Sequence, residues 1–510
     1  MKHSSIIALL AIICFQTPIF TTSQAQTIAK PDAKYKLIRQ HYTVRRDGTT
    51  EYNYRKELTL LRNRAITAYA DKGETFITYN PSFQSLTVNE CYTIRKDGSR
   101  VKTPDNAFVE QLPSECESCG RFNGLVELAI VHTALEYDCT VVLDYTITSK
   151  TDILQDKIQL TQDCPVERYE IIIDQPYDME LYYRIADNGA QLQQPDDRHS
   201  LHIVAKNLPQ SYADHYLPPA ETIYPTLWFS NRPTVNPSMQ QVRGKLIDAI
   251  PLINSERVRI RKLGNLSQHQ RNLLLVEALR DHVIDNIRCN RLTPAQLQYK
   301  SAEAAEVWQS GCGTPFEKAK TLAALLQQAG FYAYASVNEE DLLTADDKRF
   351  SLVASGEATV FVVVDDEQLQ LSATHKSSTH SKALSSGKPS KKTAGDFIIY
   401  TIPASDCPFD INPAYLPSHR NTPLQAARCD QEYSYTLDNE KGSLLKPVNI
   451  AYSIEGLGSI SISIKQNGDH TDVIKHLSIE KDIISPEEYQ DFRRLIIDWT
   501  QYNTIYMVCK

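Results

Sequence analysis

Apolar and polar residues alternate with a period near two through the first part of the chain. The period shifts toward 3.6 after about residue 238 and returns to two near the end. That shift separates strands from helices, because side chains alternate across a strand but recur every three to four residues on one helix face. Between residues 35 and 175 the alternating runs follow one another closely. Two of them, YTVRRDGTTEYNYRKELTLL at 42–61 and YTIRKDGSRVKT at 92–103, place Asp47-Gly48 or Asp97-Gly98 between extended segments. An Asp-Gly pair in that setting is a strong hairpin signal, since glycine accepts the positive φ of the turn. Further strands are expected at 126–133, 140–149, 169–174, 180–185 and 200–205. The spacing predicts an antiparallel β-sandwich over residues 30–232. An aromatic and proline cluster at 212–228 is expected to pack across a domain boundary.

The helical pattern of 238–290 keeps Leu273, Val276, Leu279, Val283 and Ile287 on one face. His269 and His282 lie on it with no acidic or cysteine partner at metal-binding spacing, so both read as surface or packing residues. The clearest single element follows in WQSGCGTPFEKAKTLAALLQQAGFYAYASV, residues 308–337. Thr314 can cap a helix, Pro315 suits its first position, and Glu317 completes a capping box. Ala319, Leu322, Ala323, Leu325, Leu326 and Ala329 then form one broad apolar face, and Gly330 ends the helix ahead of a strand at 331–337. Strands at 358–364 and 368–373, joined at Asp365-Asp366, complete an α+β domain over residues 236–374.

Residues 375–395, HKSSTHSKALSSGKPSKKTAG, are rich in serine and lysine and read as a flexible loop. A β-rich module at 396–510 then carries strands at 448–454, 459–465 and 473–480. A helix begins at the Ser485-Pro486-Glu487-Glu488 cap and runs to about Thr500, and a final strand covers 503–508.

Composition adds a compartment and removes some partners. Residues 1–25 carry a short positive start, an apolar stretch at 6–15 and small residues at Ser23 and Ala25, the pattern of a signal peptide cleaved near Ala25. Cys14 follows Ile13, which does not suit a lipid-anchoring signal. No later apolar run reaches the ~20 residues needed to span a bilayer, so the mature chain is expected to be periplasmic or extracellular. A net charge of −8 and a pI near 5.9 argue against nucleic acid as a partner. Ten of the eleven cysteines lie beyond the leader, an even number that permits disulfides in an exported chain. Cys116-Glu117-Ser118-Cys119 has CxxC spacing, yet no second pair accompanies it, and neither metal nor cofactor is expected.

These elements together resemble the exported bacterial proteins of the transglutaminase-like superfamily, in which an N-terminal β-rich domain of unknown function precedes a papain-like α+β domain. The hairpin at 92–103, the helix EKAKTLAALLQQAG and the tail SPEEYQDFRRLIIDWTQYNTIYMV carry the likeness. Active members of that group place a nucleophilic cysteine at the helix start, a histidine at the head of the next strand and an aspartate one strand later. The resemblance sets these positions on Pro315, Thr359 and Ser372. Proline has no nucleophile, threonine is no base near neutral pH, and serine carries no charge to orient an imidazole. The expectation is therefore a non-catalytic scaffold that binds a protein or glycan of the cell envelope. The alternative is a cysteine hydrolase or acyltransferase acting on peptide or amide bonds through Cys312, with His375 or His380 as base. In the first reading Cys312 is packed or disulfide-bonded.

Overall fold

The computed structural model describes residues 31–72, 75–193, 200–232, 246–264, 266–337, 342–345, 348–351, 358–375, 389–404, 411–438, 449–468, 470–502 and 504–509. The expected signal peptide and His380 lie outside these residues. Both Asp-Gly turns form, with Gly48 at φ 83° and Gly98 at φ 85°. They close hairpins between strands Ala33–Val44 and Thr50–Leu60, and between Gln84–Ile94 and Arg100–Lys102.

These four strands belong to one eight-stranded sheet, whose other members are Leu192–Gln193, Ser200–Leu208, Val166–Asp174 and Thr140–Ser149. The purely antiparallel expectation is corrected here, because Ala33–Val44 pairs parallel with Val166–Asp174. Their partnership crosses more than a hundred residues, so turn chemistry gives no sign of it. One face of the sheet is apolar and aromatic. Ile38, Tyr42, Ile171 and Ile173 on that face pack on Ile158, Leu227 and Phe229 of a three-stranded sheet. The opposite face is polar, with Arg55 donating to Glu90 at 2.7 Å and Asn53 to Asp144 at 2.8 Å. That division follows from the period-two pattern.

In the middle of the chain, helices Ile250–Arg261, Gln268–Asn286 and Pro315–Gln328 pack on a three-stranded sheet of Tyr332–Val337, Ala358–Val364 and Glu367–Ser372. Helix Pro315–Gln328 is buried all round from Phe316 to Leu326, not along one face as its apolar stripe predicts. Its polar residues survive burial because each finds partners. Lys318 donates to the Ile287 carbonyl at 2.6 Å, and Lys320 to the Ala302 carbonyl at 3.0 Å.

Toward the C-terminus, strands Cys429–Asp438, His470–Ile479, Gly458–Asn467 and Ile450–Ile454 form a sheet. Helix Tyr489–Tyr502 covers it with Phe492, Leu495, Ile496 and Trp499. Strand Ile505–Cys509 pairs with Phe397–Ile402, which pairs in turn with Ser390–Ala394. The last of these was expected to be loop. All five of its residues are exposed, so it forms through backbone pairing and leaves no apolar trace in the sequence. The 212–228 cluster packs on the segment around Arg420. Arg420 donates to the His215 carbonyl at 2.6 Å, and Thr422 to Asp214 at 2.7 Å.

Candidate functional site

The start of helix Pro315–Gln328 is where the sequence concentrates its chemistry. Thr314 Oγ1 accepts from the Glu317 amide at 3.3 Å, and Glu317 Oε2 accepts from the Thr314 amide at 2.9 Å, closing the capping box. Pro315 occupies the first helical turn, where a missing N–H costs nothing. Gly311 supplies the left-handed turn ahead of it, at φ 65°. Gly313 is confined by packing, since a Cβ there would stand 2.9 Å from Val307 Cγ1.

Cys312 is buried, and its sulfur is joined to Cys119 with a Cα–Cα separation of 6.1 Å. Cys119 belongs to the N-terminal β-rich part, 193 residues away in sequence. The same short segment brings Arg121, which donates to the Cys312 carbonyl at 3.1 Å and to Glu317 Oε1 at 2.8 Å. Glu317 is 1% exposed. Its Oε1 also accepts from the Ala302 amide at 2.7 Å, so its carboxylate ties three segments together. Arg288 adds a donation to the Ser114 carbonyl at 3.2 Å. The helix end is thereby plugged by a loop of the β-rich part.

The CxxC pair is split by this arrangement. Cys119 is used in the disulfide, whereas Cys116 remains a buried thiol whose pKa is pushed up to about 11, chiefly by burial. A thiol held protonated in this way is no nucleophile near neutral pH. Among the described residues no group of His, Cys, Asp or Glu is placed to hold a metal ion.

Thr359 and Ser372 are directly paired across strands Ala358–Val364 and Glu367–Ser372. Ser372 Oγ accepts from the His375 amide at 3.1 Å, and His375 Nδ1 lies 2.8 Å from Thr374 Oγ1. His375 is exposed. The structure thus brings Thr359, Ser372 and His375 to one end of a hairpin. The bonding partners found for Cys312 come from Cys119, Arg121, Ser310 and the Arg288–Cys289 strand instead. His269 makes a 2.8 Å contact to Asp365, and His282 lies beside Trp308 with ring centroids 5.4 Å apart. Burial lowers the His282 pKa.

Sequence reasoning missed Cys119 and Arg121 as members of this site. The even cysteine count was the only hint, and it does not say which cysteines pair. Among the described residues, cavities lie at the far end of the helix, beside this site and under the β-rich part. One of about 450 Å³ sits at the far end of the helix, beside Arg257, Arg261 and Arg271. Another of about 390 Å³ lies beside Arg121 and Gln298, and a third of about 330 Å³ beneath the β-rich part's tyrosines. None of the three is lined by Pro315, Thr359 or Ser372.

Residues 46–211 match the model of a domain of unknown function, DUF3857, and residues 398–508 match that of a second, DUF3858. The overall fold is shared with a crystal structure called a "putative protease" from Parabacteroides distasonis. The TM-score is 0.65 at 23% identity, over 94% of this chain and 99% of that one. At that identity the likeness is one of fold, which does not carry an activity with it. No curated protein matches the sequence.

Proposed function

We propose that the protein is a non-catalytic, exported binding module of the cell envelope. Its scaffold is transglutaminase-like, with Pro315, Thr359 and Ser372 standing where active relatives hold cysteine, histidine and aspartate. One observation carries the reading: the sulfur of Cys312 is committed to Cys119, and Arg121 and Glu317 close over the helix start. Covalent catalysis needs a thiolate within reach of a base and open to substrate. A disulfide supplies none of these. Binding of an envelope protein or glycan is therefore assigned to surfaces and cavities away from the helix start.

A cysteine-directed hydrolase probe tests this on the purified, unreduced protein. No modification of Cys312 is expected. Rapid stoichiometric acylation there, abolished by His375→Ala, would refute the reading and restore a cysteine hydrolase.

A further inference from the structure

The β-rich part and the segment 293–299 enclose the third cavity, of about 330 Å³. That volume suits a molecule of amino-acid size, at the small end of ligand pockets. Its floor is the aromatic face of the eight-stranded sheet. Tyr42 and Tyr52 lie side by side with centroids 4.8 Å apart, and Tyr145 meets Tyr52 edge-on at 6.2 Å. Tyr299 closes the opposite side from a turn in which both it and Gln298 have positive φ, 57° and 52°. Gln296 ties that turn to the β-rich part by donating to the Thr78 carbonyl at 3.3 Å.

Asp156 lines the same cavity. Its Oδ1 accepts from the Lys157 amide at 2.8 Å, and its Oδ2 lies 2.9 Å from the Tyr42 hydroxyl. That hydroxyl has one proton, yet it lies 2.8 Å from Gln40 Oε1 as well. An ionised carboxylate can accept about four hydrogen bonds. Asp156 therefore has one secure donor, a share of a second, and no ion pair among the described residues. Part of its surface stays open because it faces the cavity. A carboxylate in that state is short of a cation.

We propose that this cavity binds a small primary ammonium compound with an apolar stem, of the lysine side-chain type. The nitrogen sits on the Asp156 carboxylate and the stem lies against Tyr52 and Tyr145. The ammonium donates the hydrogen bonds the carboxylate lacks, and the tyrosine rings offer the apolar stem a surface to pack on. This gives a ligand class to the binding role proposed above, while standing on residues remote from Cys312. Failure here leaves the Cys312 labelling result untouched, and the converse also holds.

Titration calorimetry of the full chain near pH 7.5 tests the assignment with two probes of matched shape. Nα-acetyl-lysine methylamide is expected to bind saturably at one site, and Nα-acetyl-norleucine methylamide at least about tenfold more weakly, roughly 1.4 kcal/mol. Asp156→Asn should weaken the lysine compound by a similar factor. Should that variant not fold, the charge preference of the unmodified protein still decides. Protonation supplies another arm, since burial raises the Asp156 pKa to about 6. Binding should fall about tenfold between pH 7 and pH 5, as about nine-tenths of the carboxylate becomes neutral. The other groups facing the cavity do not interfere. Glu51 is paired with Arg45 at 2.7 Å, and Tyr42, Tyr52, Tyr145 and Tyr299 all have raised pKa values and stay neutral. Equal binding of the norleucine compound, no saturable binding of either, or binding of N-acetylglucosamine in place of the amine overturns the proposal.

Discussion

Replacing both Cys119 and Cys312 by serine removes the covalent tie between the β-rich part and the central helix. The double substitution is the clean perturbation, because a single one leaves Cys119 or Cys312 to pair elsewhere, with Cys116 three residues from Cys119. The bond joins residues 193 apart. Closing a loop of that length removes about 18 cal/mol/K from the unfolded chain in the chain-entropy account, about 5 kcal/mol at 25 °C. That is an upper figure, since unfolded chains retain structure that already limits them. If the whole chain unfolds as one unit, a transition entropy of about 1 kcal/mol/K makes the loss equal to a drop of about 5 °C. Scanning calorimetry of both proteins without reductant measures it. Dithiothreitol should lower the native midpoint toward that of the variant. Coincident midpoints, together with ready alkylation of Cys312 in the unreduced native protein, refute the disulfide and the latch it forms.

Glu317→Ala should cost about 2–4 kcal/mol, because it orphans the Thr314 and Ala302 amides and leaves the largely covered Arg121 guanidinium with Glu306, at 3.4 Å, as its carboxylate partner; chemical unfolding measures the loss, and a change below about 1 kcal/mol contradicts the assigned network. Asp156→Asn tests the half-buried carboxylate without ligand. The folded pKa, about 6, lies above the ordinary aspartate value of 3.8, so the folded state holds the proton more tightly. Stability from this group is complete below about pH 4 and is lost as pH rises to about 6. The variant should therefore match the parent near pH 4 and exceed it at pH 7, by at most about 3 kcal/mol. Thermal midpoints across that range check the sign, and a variant less stable at pH 7 contradicts it.

Local backbone signals were legible without any tertiary information. Asp47-Gly48 and Asp97-Gly98 specify their turns through glycine's conformational freedom, and Thr314, Pro315 and Glu317 specify a helix start through bonds that span three residues. The Ser485 cap works in the same way, with Glu488 returning a bond to the Ser485 amide at 3.1 Å. Each of these depends on neighbours in the chain, so the order of residues is enough to determine it.

The features that give the protein its character depend on residues far apart in sequence. Nothing near Cys312 announces Cys119, and nothing near Ala33–Val44 announces its parallel partner Val166–Asp174. The apolar stripe of Pro315–Gln328 foretold one buried face. Only the packed structure surrounds the other side, because carbonyls at Ile287 and Ala302 happen to meet Lys318 and Lys320. Asp156 likewise looks like an ordinary strand residue until Tyr42, Tyr145 and Tyr299 are folded around it. Periodicity reports which side of an element turns inward, whereas desolvation and charge depend on what arrives there from elsewhere in the chain.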